Sequence, residues 1–453
     1  MFSLSRSRLV FAGVAAVAAS VAFAQPALAG HTRLGTRSLS KPTRVATTIV
    51  APPAVTTATP VRIAASATNV SDGSGRSFKP DAPYALGGQL VSTLLPVTGT
   101  ASPLLYQRSR LGGTGYAVPV STPGTYFVDM FVSETRGVQP GQRVWNVTAE
   151  GSTAATSVDA ARDAGANRAW HVMFSAPVTD GTLNLSLVGV TGNPLVGAVE
   201  VDYQSADTAA TTVLAQDFTG TAGTSPSATR WTATNAGNGF GNRELESYTD
   251  RPSNVSLDGA GHLAITARQE TYTGADGITR NYTSGRIDTH GKFEFQYGTA
   301  VARMQVPGGQ GMWPAFWALG SNIDTAGWPV CGEIDVLENI GAEPTTAHAT
   351  LHGAGLAGVP WLAGALTNAS APLSGDYHDY GMVWGPNAIS VSLDGRTYMA
   401  VSASDIAPIN NWNFNHPFYL LLNLAVGGTW PGSPDATTQF PATMSVDFVH
   451  VTT

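Results

Sequence analysis

From Val61 onward the sequence is a succession of short runs in which apolar and polar residues alternate, cut by Gly and Pro: GTYFVDMFV (124–132), RVWNVTAEG (143–151), TLNLSLVGV (182–190), GAVEVDYQ (197–204), HLAITARQE (262–270), AISVSLDG (388–395) and MSVDFVHV (444–451). Successive side chains of a strand point to opposite faces, so each run reads as a strand with one buried face. Helical periodicity is almost absent. Many short strands between turn signals predict an all-β fold of the sandwich kind. The 453 residues suffice for two such cores. Small residues at 205–212 (SADTAATT) separate them as a short linker. The expected organisation is therefore two β-sandwich domains in series, 58–204 and 213–453.

The ends and the composition narrow the setting. Arg6 and Arg8 precede an apolar run that closes on Ala27-Leu28-Ala29, the pattern of a secretory signal peptide at 1–29. That run is too short to span a bilayer, and no later one is longer, so no membrane partner is expected. Residues 30–57, rich in Thr, Ser and Pro, read as a flexible leader of a secreted, extracellular protein. The net charge of −7 is spread thinly over a chain with only 12% charged residues, and no basic stripe invites nucleic acid. The single cysteine, Cys331, forms no internal disulfide and reads as a small buried hydrophobe rather than a catalytic thiol. Nothing points to an oligomer, and a monomer is expected.

The segment GEIDVLENIG (332–341) gathers Glu333, Asp335 and Glu338 in a run of strand formers. In a regular strand Glu333 and Asp335 share a face and Glu338 points away. One inserted residue, a β-bulge, returns Glu338 to the first face. The two glutamates then stand about four strand steps apart, ~13 Å between Cα atoms. Side chains reaching inward by about 4 Å each leave the carboxyls ~5 Å apart, the spacing of a nucleophile and a general acid in retaining glycoside cleavage. Asp335 between them can share a proton with Glu333 and shift its pKa. A merely solvated acidic strand would interleave Lys or Arg, and none occurs between 332 and 341. His348, Thr350 and His352 fall on one face of a neighbouring strand. Aromatics collect in GMWPAFWALG, NNWNFNHPFY and GGTWPG, and indole and phenol rings suit stacking on sugars. Phe316 and Phe418 read as core among them.

Residues 213–453 resemble glycoside hydrolase family 16, in its laminarinase (endo-β-1,3-glucanase) branch. The resemblance rests on NRELESYTDRPSNVSLDGAGHLAITA, YTSGRIDTHGKFEFQYGTAVARMQVPGGQGMWPAFWALG, GEIDVLENIG, HATLHG, LNLAVGGTWPG and FPATMSVDFVHV, in order. It implies a concanavalin-like jelly roll with a substrate cleft, a β-glucan polysaccharide as partner, and no redox or nucleotide cofactor. By it Glu333 is the nucleophile, Asp335 its helper and Glu338 the general acid/base. Asn242, Arg286, Trp313, Trp317 and His352 line the cleft, and Asp217 and Asp447 hold a structural calcium ion. For Arg286 a structural ion pair is the competing reading. Val391 and Ser392 stand where relatives carry an aromatic pair. Other β-glycans cleaved by the family are the alternative substrates, and a non-catalytic β-glucan lectin is the rival that both glutamates argue against.

Residues 58–204 resemble a malectin-like carbohydrate-binding domain, on LLYQRSRLGGTGYAVPVSTPGTYFVDMFVSE, GQRVWNVTAEG and VGAVEVDY. Arg136, Gly137 and Leu111 replace expected rings, leaving Tyr84, Tyr106 and Tyr116 as candidate sugar contacts. The short linker and the complete C-terminal match lead us to expect a second domain that folds without the first.

Overall fold

The computed structural model describes residues 59–453, so the predicted signal peptide and leader lie outside the described residues. The alternating runs form strands in four sheets. In the N-terminal sandwich one six-stranded sheet runs Val70–Ser71, Ser77–Pro80, Val61–Ala64, Ala198–Ser205, Gly124–Val132, Trp170–Val178. The other runs Leu195–Val196, Arg108–Pro119, Thr182–Thr191, Val144–Ala149, Ser152–Val158, with Ala85–Ser92 also paired to Arg108–Pro119. Thr182–Thr191 follows the simple rule: Leu183, Leu185 and Leu187 are buried between the sheets, while Asn184 and Ser186 face water.

Two strands break that rule. All nine residues of Gly124–Val132 are buried, as are seven of the eight in Ala198–Ser205. Val128, Met130, Val199 and Val201 enter the core of their own sandwich. The opposite faces, with Phe127, Asp129, Glu200 and Asp202, are covered by the second sandwich. Gly385 lies so close to the Phe127 ring that a Cβ would fall 2.2 Å from its Cγ. Asn387 Nδ2 donates to Glu200 Oε1 (3.2 Å) and Asp202 Oδ1 (3.1 Å). The Arg76 guanidinium joins Asp72 (2.7 Å), Glu200 (3.1 Å) and the Ser404 hydroxyl. His171 sits between two carboxylates, with Nδ1 2.7 Å from Asp129 Oδ1 and Nε2 2.6 Å from Asp405 Oδ2. Tyr106 donates to Asp405 Oδ1 at 2.8 Å. Alternation reveals which residues share a face but not what covers it. The short linker thus joins two domains bound through a buried, charged seam.

The seam also corrects the reading of the tyrosines. Tyr106 is fully buried in the seam and Tyr116 is 2% exposed in the sandwich core, so neither can meet a sugar. Of the three candidates only Tyr84 keeps partial exposure.

In the C-terminal sandwich the ten-stranded sheet runs Glu246–Tyr248, Thr279–Ser284, Leu263–Thr273, Ala442–Thr452, Gly298–Gln305, His378–Trp384, Ala388–Leu393, Arg396–Ser402. Thr212–Gln216 pairs with Ala442–Thr452 and Val255–Leu257 with Leu263–Thr273. The facing seven-stranded sheet runs Thr232–Ala233, Arg286–Asp288, Phe418–Val426, Met312–Gly320, Glu333–Glu338, Thr346–Ala354, Pro360–Asn368. Ile265, Phe316, Ile334, Leu351, Trp384, Phe418, Leu422 and Val449 pack between the two sheets. The other face of the seven-stranded sheet carries the acids.

Candidate active site

Glu333–Glu338 contains a bulge, visible against both neighbours. On one side Phe316 pairs with Leu337 and Trp317 with Asp335, so Val336 is the inserted residue. On the other side Glu333 pairs with His352, Asp335 with Thr350 and Glu338 with His348. Three steps on the acid strand therefore match two on its partner. Ile334, Val336 and Leu337 all enter the core. Their burial anchors the bulge, because a regular strand with Ile334 and Val336 inward would turn Leu337 outward and Glu338 inward. The three acids emerge on one face.

Their surroundings differ. Carboxylate oxygens of Glu333 and Asp335 and a ring nitrogen of His352 lie within 4.8 Å of one another. His352 Nε2 is 3.6 Å from Glu333 Oε1 and 3.2 Å from Asp335 Oδ2. The second contact lacks hydrogen-bond geometry, so Asp335 Oδ2 remains an unpaired buried acceptor. Trp328 Nε1 donates to Glu333 Oε2 at 3.2 Å, and Trp313 Nε1 to Glu338 Oε1 at 3.0 Å. Burial pushes the Asp335 carboxyl up to about 8. Burial and then the charge of Asp335 do the same for Glu333 and Glu338, each to about 8. Three carboxyls this close cannot all ionise at neutral pH. Both glutamates accept an indole N–H and both are drawn down by the charge of His352, which comes within 3.6 Å of Glu333. The three carboxyls therefore share protons at neutral pH, with His352 nearest to Asp335 and Glu333.

Trp313 and Trp317 sit on the acid face of Met312–Gly320 because strand positions four apart share a face, while Phe316 is core. Trp317 Nε1 donates to Asn423 Oδ1 at 2.7 Å. The Arg286 guanidinium lies 4.9 Å from the centre of the Trp317 ring and 4.8 Å from that of Phe240. Among the described residues no carboxylate lies within ion-pair distance of Arg286, so the ion-pair reading falls away. Asn242 Nδ2 donates to Glu244 Oε1 (3.1 Å), and Glu244 Oε2 accepts from Tyr248 (3.0 Å).

Cys331 is fully buried with Leu319, Tyr419 and Leu421, and burial followed by Glu333 raises its thiol to about 11. It is a packing residue. Asp217 and Asp447 lie on the outer face of the other sheet, Asp447 beside a register shift in Ala442–Thr452. His450 Nε2 is 3.0 Å from Asp217 Oδ1, and Arg303 Nε is 3.5 Å from Asp447 Oδ2. Each carboxylate therefore has a basic neighbour that a bound cation would have to displace.

Sequence reasoning missed Trp328, and it included Trp430 only as part of the aromatic GGTWPG segment, without a place in the cleft. Trp328 is 54% exposed beside His352, and Trp430 is 38% exposed against Trp313 and His348, with ring centres 5.5 and 5.0 Å apart. Their signal was a Trp-Pro pair in a loop, which holds a large ring outside the core.

A sandwich that bends one strand to gather two glutamates and an aspartate, lined by exposed indoles, defines a carbohydrate-active hydrolase. The chain belongs to the glycosyl hydrolases family 16, whose pattern matches residues 244–450. The malectin domain pattern matches residues 59–207. A beta-glucanase of Rhodothermus marinus is 35% identical over 236 residues, covering 50% of this chain and 80% of its own. A glucan endo-1,3-beta-glucosidase A1 of Niallia circulans is 37% identical over 224 residues, but this chain covers 33% of that longer protein. The endo-beta-1,3-glucanase structure from Pyrococcus furiosus superposes with a TM-score of 0.50 at 41% identity, over 54% of this chain and 94% of its own.

Proposed function

We propose that this protein is a secreted, monomeric endo-glycosidase that hydrolyses β-1,3-glucans of the laminarin kind with retention of configuration. The observation that carries the reading is the bulge at Val336, which brings Glu333 and Glu338 onto one face. Glu333, with His352 3.6 Å away, attacks the anomeric carbon while Glu338 protonates the departing glycosidic oxygen. Glu338, now ionised, then takes a proton from water, which attacks the same carbon and releases Glu333. Asp335 holds the spare proton and limits repulsion between the two glutamates. The relatives named for β-1,3-glucan support the substrate class. A structural calcium ion at Asp217 and Asp447 is a subsidiary proposal, which predicts a higher Tm with Ca2+ than with chelator. An unchanged Tm would remove the ion.

Glu333→Gln tests the assignment: activity on laminarin should fall by more than about 10²-fold with glucan binding retained. Residual activity above about a hundredth of wild type would take the nucleophile's role from Glu333. Comparing products from laminarin, lichenan and agarose tests the linkage.

A further inference from the structure

Arg286 is the cleft's unspent cation. Its strand, Arg286–Asp288, places it opposite Asn423 on the neighbouring strand. Among the described residues no hydrogen bond or ion pair engages its guanidinium donors. Two aromatic faces hold it instead, Trp317 and Phe240. Trp317 is anchored through Asn423, and Asn423 Nδ2 reaches the Tyr248 hydroxyl at 3.4 Å. The Phe240 ring rests on Tyr248, with centres 5.1 Å apart.

Phe240 occupies a costly backbone conformation. Its φ of 44° lies in the left-handed region, which a bulky side chain disfavours. Gly239 (φ 72°), Gly241 (φ 81°) and Arg243 (φ 61°) share that region, so the turn is built almost wholly from left-handed residues. A glycine would sit at position 240 without strain. The half-exposed phenyl ring does not fill the main core. What the strained conformation achieves is a ring laid on a guanidinium.

We propose that Phe240 is a positioning residue for substrate binding. Its ring and that of Trp317 clamp Arg286 so that the guanidinium keeps its donors free for sugar hydroxyls in the cleft. An ion pair would consume those donors, whereas two π faces fix the group and leave its edge open. The inference rests on reading the cleft as a glucan site, and it adds a residue that acts through Arg286 without touching the reacting atoms.

Phe240→Gly removes the ring and relieves the strain together. Cation–π contacts of this kind predict a KM for laminarin raised about tenfold, with kcat within about twofold of wild type. The Tm should stay within about 3 °C. Phe240→Tyr should restore the wild-type KM. In a cycle with Arg286→Lys, the double variant should be no worse than the poorer single one. An unchanged KM in Phe240→Gly, failure of Tyr to rescue, or additive effects would overturn the clamp. A readout independent of turnover is the Arg286 Nε–Hε NMR signal. Ring currents should displace it in the wild type, and it should return to the free-arginine position in Phe240→Gly. A signal at that position already in the wild type would overturn the clamp even if laminarin proved not to be the substrate.

Discussion

Replacing His171 with Phe removes the cation from the seam between the sandwiches while nearly preserving ring volume. Asp129 is 1% exposed, and its Oδ2 has no other partner, so losing the imidazolium leaves a buried carboxylate without compensation. Asp405 keeps Tyr106 but loses the 2.6 Å contact to Nε2. Breaking a buried pair by deleting one member costs about 3–5 kcal/mol. At about 2–4 °C per kcal/mol for a protein of this size, Tm should fall by roughly 10 °C. The pH dependence gives a second reading. Burial alone would lower the pKa of His171, but Asp129 and Asp405 outweigh it and hold it at about 10. Its unfolded value is about 6.5. A folded pKa above the unfolded one stabilises fully below pH 6.5 and loses that contribution as pH rises through about 10. Calorimetry of the wild type should therefore show one transition covering both sandwiches, with a Tm that declines between pH 7 and 10. His171→Phe should start lower and decline less over that window. Two separate wild-type transitions, or a variant within 1–2 °C of wild type (less than the shift for about 1 kcal/mol), would refute the claim that the seam binds the domains.

Three further outcomes follow from the same geometry. A chain starting at Thr211 exposes Asn387, Ser404 and Asp405 to water, so it should melt lower than the full protein and lose activity on soluble and insoluble glucan alike; loss on the insoluble substrate alone would restore a sugar-binding role to the N-terminal domain. Calorimetric titration of Glu333→Gln with a laminari-oligosaccharide should give one site per chain, because the N-terminal sandwich buries Tyr106 and Tyr116 and leaves Tyr84 as the one partly exposed large ring among its described residues; two sites would contradict this. Asp335→Asn should lose activity yet raise Tm at pH 7. A carboxyl raised from 3.8 to about 8 costs stability as pH climbs between those values, an upper bound near 4 kcal/mol at pH 7; an unchanged or lower Tm would count against the burial argument.

Much of this is legible in the sequence. Period-two runs such as TLNLSLVGV identify strands and their buried faces directly, whereas the E-x-D-x-x-E spacing allows either scattered acids or a bulge, and the resemblance to family 16 decides for the bulge. The seam was not legible. VEVDY announces that Glu200 and Asp202 share a face, and ordinary experience gives such a face to water; only the second sandwich makes it interior. Phe240 was hidden for a different reason, because its role depends on a left-handed turn that a phenylalanine code does not advertise. Trp328 and Trp430 lie in loops whose paths are set by the strands they connect. The contact of Trp328 with Glu333 therefore depends on long-range packing and not on their separation of five residues in sequence.

The account turns on Glu333 and Glu338 acting as nucleophile and acid/base across one glycosidic bond. Proton NMR of laminarin during the first minutes of hydrolysis, before mutarotation mixes the anomers, tests this most directly. New reducing ends should appear first as the β-anomer. Early α-anomer would mean that water attacks from the opposite face, and that the bulge gathers these acids for a different chemistry.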